Sequence, residues 1–250
     1  MTASKRSLKG KTALITGAAK RLGREITIAL SAMGVNTVIH YHKSDHQAKQ
    51  LAQQIHTNNS KTFLIQADLS NSKQSQQLMQ RAIAMAGPIN ILINNASVFP
   101  SDTIWDTTDL NLHQNMQIHA YTALYLSREF AQQHINGHII NMLDSRVNDY
   151  DREHLAYHLS KRALQSITRI MALELAPNIQ VNAIAPGLIL APPKTSDQYL
   201  KDMAHTNPLH THGSADDINN AVIFLLQSKF ITGQTLYIDG GRHIKGRIYE

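Results

Sequence analysis

The 250 residues contain no cysteine, which excludes disulfides, iron–sulfur clusters, thiolate zinc sites and cysteine nucleophiles. No apolar run approaches the roughly 18 residues that a membrane span requires. The opening "MTASKRSLKGKTALIT" passes straight into a strand-like run with no hydrophobic signal segment, so the expected address is cytoplasmic. No run of five or six basic residues occurs either. The formal net charge of +6 is dispersed, which argues against nucleic acid and leaves a positive field that can draw in anionic small molecules. No repeat, low-complexity tract or Pro/Ser linker divides the chain, so one domain over 1–250 is expected, behind a short tail at 1–9.

What is present is alternation. Short apolar runs predict strands at 12–16, 35–40, 62–66, 90–94, 138–142, 179–184 and 235–239. Helical periodicity fills 22–33, 45–57, 71–86, 105–134, 152–175 and 215–227. Strand–helix repetition of this kind predicts an α/β fold: a doubly wound, mostly parallel sheet covered on both faces. The segment 186–214 is too long for a simple connection and reads as a substrate loop or lid.

Directly after the first strand stands "TGAAKRLG" (16–23), with Gly17 and Gly23 six apart and Arg21 where a third glycine is expected. Such spacing by itself marks an ordinary turn. Between strand one and helix one it turns backbone N–H groups toward a pyrophosphate, flanked by Leu22 and the guanidinium of Arg21. A second absence follows. Strand two runs into "HYHKSD" (40–45), with no carboxylate to grip a ribose hydroxyl until Asp45. His40, Tyr41, His42, Lys43 and Ser44 instead offer cationic and hydroxyl donors suited to a 2′-phosphate, which favours NADPH over NADH. The same residues also suit a polar loop in which Ser44 or Asp45 caps the next helix. "QADLS" brings Asp68 and Leu69, and "NNAS" brings Asn95, Ala96 and Ser97, to the same edge of the sheet.

The stretch "NMLDSRVNDYDREHLAYHLSK" (141–161) places Tyr157 and Lys161 four apart, on one face of a helix. A lysine beside a tyrosine favours the phenolate, so Tyr157 is the candidate proton donor. Asp144 stands thirteen residues earlier. Asp144 could equally be a loop carboxylate paired with Arg146, and a bulge could present Ser145 instead. His154 and His158 stand at i, i+4 without a third ligand at metal-site spacing, so no metal is expected.

These pieces resemble the short-chain dehydrogenase/reductase family: TGxxxxxG after strand one, NNA after strand four, YxxxK, and "PG" after strand six. The resemblance covers about 10 to 241 and implies a seven-stranded Rossmann-type sheet and a nicotinamide cofactor. It also implies a homotetramer or homodimer built on the long helices 105–134 and 152–175. Within the family the chain is most similar to the pteridine reductases and dihydromonapterin reductases. The similarity rests on Arg21, "HYHKS", "NNAS", an aspartate at the usual serine position (Asp144), and "ELAP…VN…PGL", which ends on Pro186, Gly187 and Leu188. That subgroup implies NADPH-dependent reduction of a pterin ring C=N, a substrate class that extends to dihydrofolate and oxidised pterins. It assigns Asp144, Tyr157 and Lys161 to catalysis and Ser97 and Phe99 to the substrate, although Phe99 also fits a core aromatic at a turn. A carboxyl group suits C=N chemistry because it can donate to or accept from ring nitrogens. Where many relatives carry a helix-four asparagine, this chain has His119. Two rival readings stand beside this one. The first is a carbonyl or 3-oxoacyl-thioester reductase that tolerates Asp144; the second is a non-catalytic NADPH-binding regulator.

Overall fold

The computed structural model describes residues 6–56, 60–149, 151–193 and 195–245. Of the tail expected at 1–9, residues 1–5 lie outside the described residues, as do 246–250 at the other end. Seven strands form one sheet: β1 (Thr12–Ile15), β2 (Asn36–Tyr41), β3 (Thr62–Gln66), β4 (Ile91–Asn94), β5 (Gly137–Met142), β6 (Ile179–Pro186) and β7 (Thr235–Ile238). Their order is β3-β2-β1-β4-β5-β6-β7, and every neighbouring pair is parallel.

The sheet is buried on both sides, and its central strands carry apolar residues at consecutive positions, as in ALI of β1, VI of β2, ILI of β4 and II of β5. Consecutive residues then serve opposite layers. Ile15, Ile39, Ile93 and Ile140 pack on one side with Ile26 and Leu30 of α1 (Arg21–Ala32), Leu51 of α2 (Asp45–Gln54) and Val222 and Leu225 of a late helix. Their neighbours Leu14, Val38, Leu92 and Ile139 pack on the other side with Leu78 and Met79 of α3 (Ser72–Ala86) and with Phe130. Because all strands run the same way, all their C-terminal ends lie on one edge. The order reverses between β1 and β4, which opens the crevice where such folds hold ligands.

The predicted helix over 105–134 differs in two ways. Helix α4 spans Asp109–Asn115, capped by Thr108, whose hydroxyl accepts from the Asn111 amide. Ahead of it Asp106 takes the amide and hydroxyl of Thr103, which makes a turn and leaves Trp105 exposed. Then Met116–Tyr121 is π-helical before α5 (Thr122–Ala131). π-turns inside helices are rare and recur at functional sites. Helix α6 (Leu155–Glu174) follows β5.

The segment 186–214 holds a short helix, α7 (Gln198–Asp202), and buries Leu188, Ile189 and Leu200. Gly213 N–H donates to the Leu188 carbonyl at 2.9 Å, tying the far end of the segment back to its start. A reciprocal Ser214–Asp217 cap then opens α8 (Ala215–Gln227). Among the described residues no helix is long and apolar enough to cross a membrane.

Candidate active site

The turn after β1 is built around the absence of two side chains. A Cβ on Gly23 would lie 2.3 Å from the Gly17 carbonyl oxygen and 2.6 Å from Asn95 Nδ2. Gly17 itself has φ +63° and would push a Cβ to 2.9 Å from Ala96 Cα. The turn therefore lies flush against "NNAS". Arg21 occupies the left-handed region at φ 51°, where a glycine is ordinarily found. Its guanidinium donates to the Ala191 carbonyl at 3.0 Å, so the glycine turn already touches the 186–214 segment.

Several residues expected to hold a cofactor act one layer further back. Asn95 spends its amide on the Thr16 and Gly17 carbonyls, bracing the turn from beneath. His40 departs most from expectation. It is buried, its Nδ1 accepts from Gly17 N–H at 3.0 Å, and its Nε2 lies 3.1 Å from the Ala67 carbonyl. Burial drives its pKa down to about 4, so it is a neutral strut and not a cationic phosphate ligand. The reason is the sheet itself: β2 is covered on both faces, so His40, on the same side as Val38, has no route to solvent along the strand.

Tyr41, His42, Lys43 and Ser44 do reach the edge. The Ser44 hydroxyl makes no capping bond although the residue stands at the N-cap of α2. The nearby Asp45 carboxylate is taken up by Lys49 at 2.7 Å and by the Tyr41 hydroxyl. Asp68 lies 3.6 Å from His42. Burial pushes its carboxyl up, but two hydrogen bonds from Ser70, with His42 and Lys43, more than offset this and leave it below the usual carboxylate range. Leu69 is buried behind it.

The catalytic candidates converge at the ends of β5 and α6. Asp144 Oδ2 accepts from the Tyr157 hydroxyl at 3.0 Å, and Oδ1 accepts from the Arg146 amide at 2.8 Å. The Arg146 side chain turns to Asp151 at 3.0 Å and Asp149 at 3.8 Å. Ser145 is buried, its amide donating to Pro186, so the aspartate and not the serine meets Tyr157. Lys161 is fully interior and donates to the Met142 carbonyl at 2.7 Å.

One electrostatic expectation is overturned here. Burial first, then the charge and hydrogen bond of Asp144, hold the Tyr157 pKa well above 10, whereas a lysine-lowered value was expected. The ammonium lies 5.6 Å from the tyrosine ring centre and aims at Met142. Burial lowers the Lys161 pKa to about 8, with Asp144 opposing. Tyr157 is thus kept protonated beside a carboxylate.

Phe99 sits over this pair. It is 58% exposed, stacks on His154 with centroids 3.8 Å apart, and meets the Tyr157 ring edge-on at 4.6 Å. His154 is held by Asp151, which also lies 3.3 Å from His158. Asp102 pins the whole loop: it pairs with Glu153 and Leu155 through its backbone, and its buried carboxylate takes the Ala156 amide at the start of α6. Neither Asp102 nor the Phe99–His154 stack was anticipated, since residues some fifty positions apart leave no local pattern. Beyond Ser145, the Pro186 carbonyl closes the site, and Gly187 packs so tightly on Asp239 that a Cβ would approach to 2.6 Å. Leu188 lies beneath it.

A family model described as Enoyl-(Acyl carrier protein) reductase matches residues 17–243. A "Short-chain type dehydrogenase/reductase" of Picea abies is 30% identical, over 94% of this chain and 93% of its own length. The 3-oxoacyl-[acyl-carrier-protein] reductase FabG of Staphylococcus epidermidis is also 30% identical, over 94% of this chain and 99% of its own. Among solved structures, FolM alternative dihydrofolate reductase 1 from Brucella canis, complexed with NADP, superposes with a TM-score of 0.90. It is 30% identical and covers 98% of this chain and 100% of that one.

Proposed function

This chain belongs to the short-chain dehydrogenase/reductase family, and from that premise we propose that it is an NADPH-dependent reductase of pterins, saturating a dihydropterin ring C=N. The residues fit the cofactor. The turn at Gly17 and Gly23 leaves no room for side chains, and the end of β2 offers His42, Lys43 and Ser44 while its carboxylate Asp45 is already engaged. In this reading Arg21 would flank the phosphates and Lys161 would hold the nicotinamide ribose.

NADPH, when bound, supplies the hydride. The chain's own residues manage the proton. A ring C=N that accepts hydride at carbon needs a proton at nitrogen, and the Tyr157 hydroxyl and Asp144 carboxylate hold one transferable proton between two oxygens 3.0 Å apart. Delivering it leaves the pair one charge more negative, which the interior ammonium of Lys161 offsets. Phe99, backed by His154, offers a flat face to a flat heterocycle next to that pair.

The observation that carries this reading is the Asp144–Tyr157 hydrogen bond, because a carboxyl group can exchange protons with ring nitrogens where a serine cannot. The likeness to FabG supports a second reading, reduction of a 3-oxoacyl thioester with Asp144 as a tolerated replacement. The deciding experiment follows NADPH absorbance with dihydrobiopterin, dihydromonapterin, dihydrofolate and a 3-oxoacyl thioester. Turnover confined to the pterins and dihydrofolate supports the proposal; turnover with the thioester alone overturns it.

A further inference from the structure

We propose that His119 fixes the polarity of the Ser97 hydroxyl, making Ser97 a hydrogen-bond acceptor toward the cleft, so that the ligand group facing it is an N–H donor. A chain of contacts links Ser97, His119, Ser160 and the Tyr157 carbonyl. The Val98 amide can only donate, so His119 Nε2 beside it carries no proton, and Ser160 Oγ, 2.6 Å from the Tyr157 carbonyl, donates there. The 2.7 Å contact between Ser160 Oγ and His119 Nδ1 then needs the proton on Nδ1. Nε2 is left bare, and it accepts the Val98 amide at 3.2 Å.

Ser97 Oγ lies 2.9 Å from that bare nitrogen, so it can only donate to it. The other acceptor near the hydroxyl, the Val98 carbonyl at 3.3 Å, is also on the protein side. Either way the single proton of Ser97 points inward and its lone pairs are left for the exposed side. A protonated imidazole would set a second N–H against the Val98 amide. Burial, helped by the Lys161 charge, opposes protonation and holds His119 well below its ordinary pKa. The π-turn Met116–Tyr121 delivers the ring to this spot, where its plane stands edge-on to Tyr157 at 5.4 Å. An asparagine amide could present either end to the loop, whereas this imidazole, with its tautomer set by the Val98 amide, cannot.

Two ligand donors share the required chemistry: the exocyclic amino group of a pterin, and the carboxamide of the nicotinamide. The first arm rests on the pterin reading above; the second does not. Equilibrium binding by fluorescence would compare NADPH with its reduced 3-acetylpyridine analogue, which lacks the carboxamide donor. With NADPH present, it would then compare a dihydropterin with the matching dihydrolumazine, which carries oxygen in place of the amino group. The wild type should prefer the donor-bearing member in at least one arm by roughly tenfold, the effect of about one hydrogen bond. Ser97→Ala and His119→Leu should both erase that preference. Ser97 is exposed, so its alanine variant decides the acceptor role of Ser97 even if His119→Leu does not fold.

No preference in either arm, or a preference that survives Ser97→Ala, overturns the assignment. A preference lost in Ser97→Ala but retained in folded His119→Leu overturns the part given to His119. If no pterin binds, the pterin reading fails, and the cofactor arm alone decides on Ser97.

Discussion

The Tyr157 hydroxyl donates to Asp144 Oδ2 across 3.0 Å, which puts the assigned proton source in contact with a carboxylate and not with a serine hydroxyl. Replacing Tyr157 with Phe should abolish turnover while leaving NADPH binding close to wild type. Asp144→Ala should lower kcat on pterins by about 10²- to 10⁴-fold, the usual share of general acid–base catalysis. Pterin turnover within twofold of wild type in Asp144→Ala would remove the carboxyl group from the mechanism.

Lys161, with a pKa of about 8, is the catalytic group that titrates in the working range, because Tyr157 lies well above 10. The ammonium is the form that can bind a ribose hydroxyl by donation and offset the Asp144–Tyr157 charge. As pH rises through about 8 that form is lost, so kcat/KM should fall on the alkaline side with an apparent pKa near 8. Lys161→Arg keeps its charge at high pH and should be slower overall but lack that limb. A flat wild-type profile from pH 7 to 9.5 would contradict the assignment.

His40 couples the glycine turn to the end of β3, and its pKa of about 4 has a consequence for stability. His138, in contact with Arg6, is likewise lowered to about 4, by burial first and then by Arg6 and Lys11. Between pH 6.5 and 4 the unfolded chain takes up protons that these folded imidazoles refuse, so stability falls as pH falls through that window. At pH 5 the loss is on the order of 1–2 kcal/mol for each. Urea midpoints should therefore be higher at pH 7 than at pH 5, and His40→Asn should remove part of that difference. Equal midpoints for the wild type at the two pH values would show that these histidines titrate normally.

The sheet was legible because each strand is an apolar run ending in a turn, and parallel order follows once helices separate the runs. The site was legible where motifs carry their own geometry: Gly17 and Gly23, Asn95 to Ser97, Tyr157 with Lys161. His40 was misjudged by residue type, although its place inside a strand of a doubly covered sheet already made it a buried position. The π-turn, the Thr103–Asp106 turn and the Phe99–His154 stack depend on packing between distant segments, and no local pattern announces them. The direction of the Tyr157 shift was missed for the same reason, since the spacing to Lys161 says nothing of where the ammonium points.

Cofactor choice should turn on the end of β2. Lys43 is exposed there beside Ser44, whose hydroxyl is not spent on a cap. Lys43→Glu should weaken NADPH binding by tenfold or more and change NADH binding little, since only the former adds a 2′-phosphate to repel a carboxylate. Equal loss for both cofactors would refute the 2′-phosphate argument.

Leu110, Tyr121 and Leu124 on the α4–α5 side, and Leu159, Ile170 and Leu173 on α6, remain exposed. Single exposed apolar residues are ordinary, but several of them along α4–α5 and α6 are what an interface built on these helices would cover. A second copy of the chain is the occupant we propose, since these are the helices expected to build a homodimer or homotetramer. An isologous interface brings each substitution into it twice, so Ile170→Glu with Leu173→Lys should shift light-scattering mass toward that of one chain, 27.9 kDa. Helices α6 and α5 also carry Tyr157, Lys161 and, through the π-turn, His119, so the dissociated form should lose thermal stability and activity together. A wild-type chain already running at the mass of one copy would dispose of the interface while leaving the active-site assignments intact.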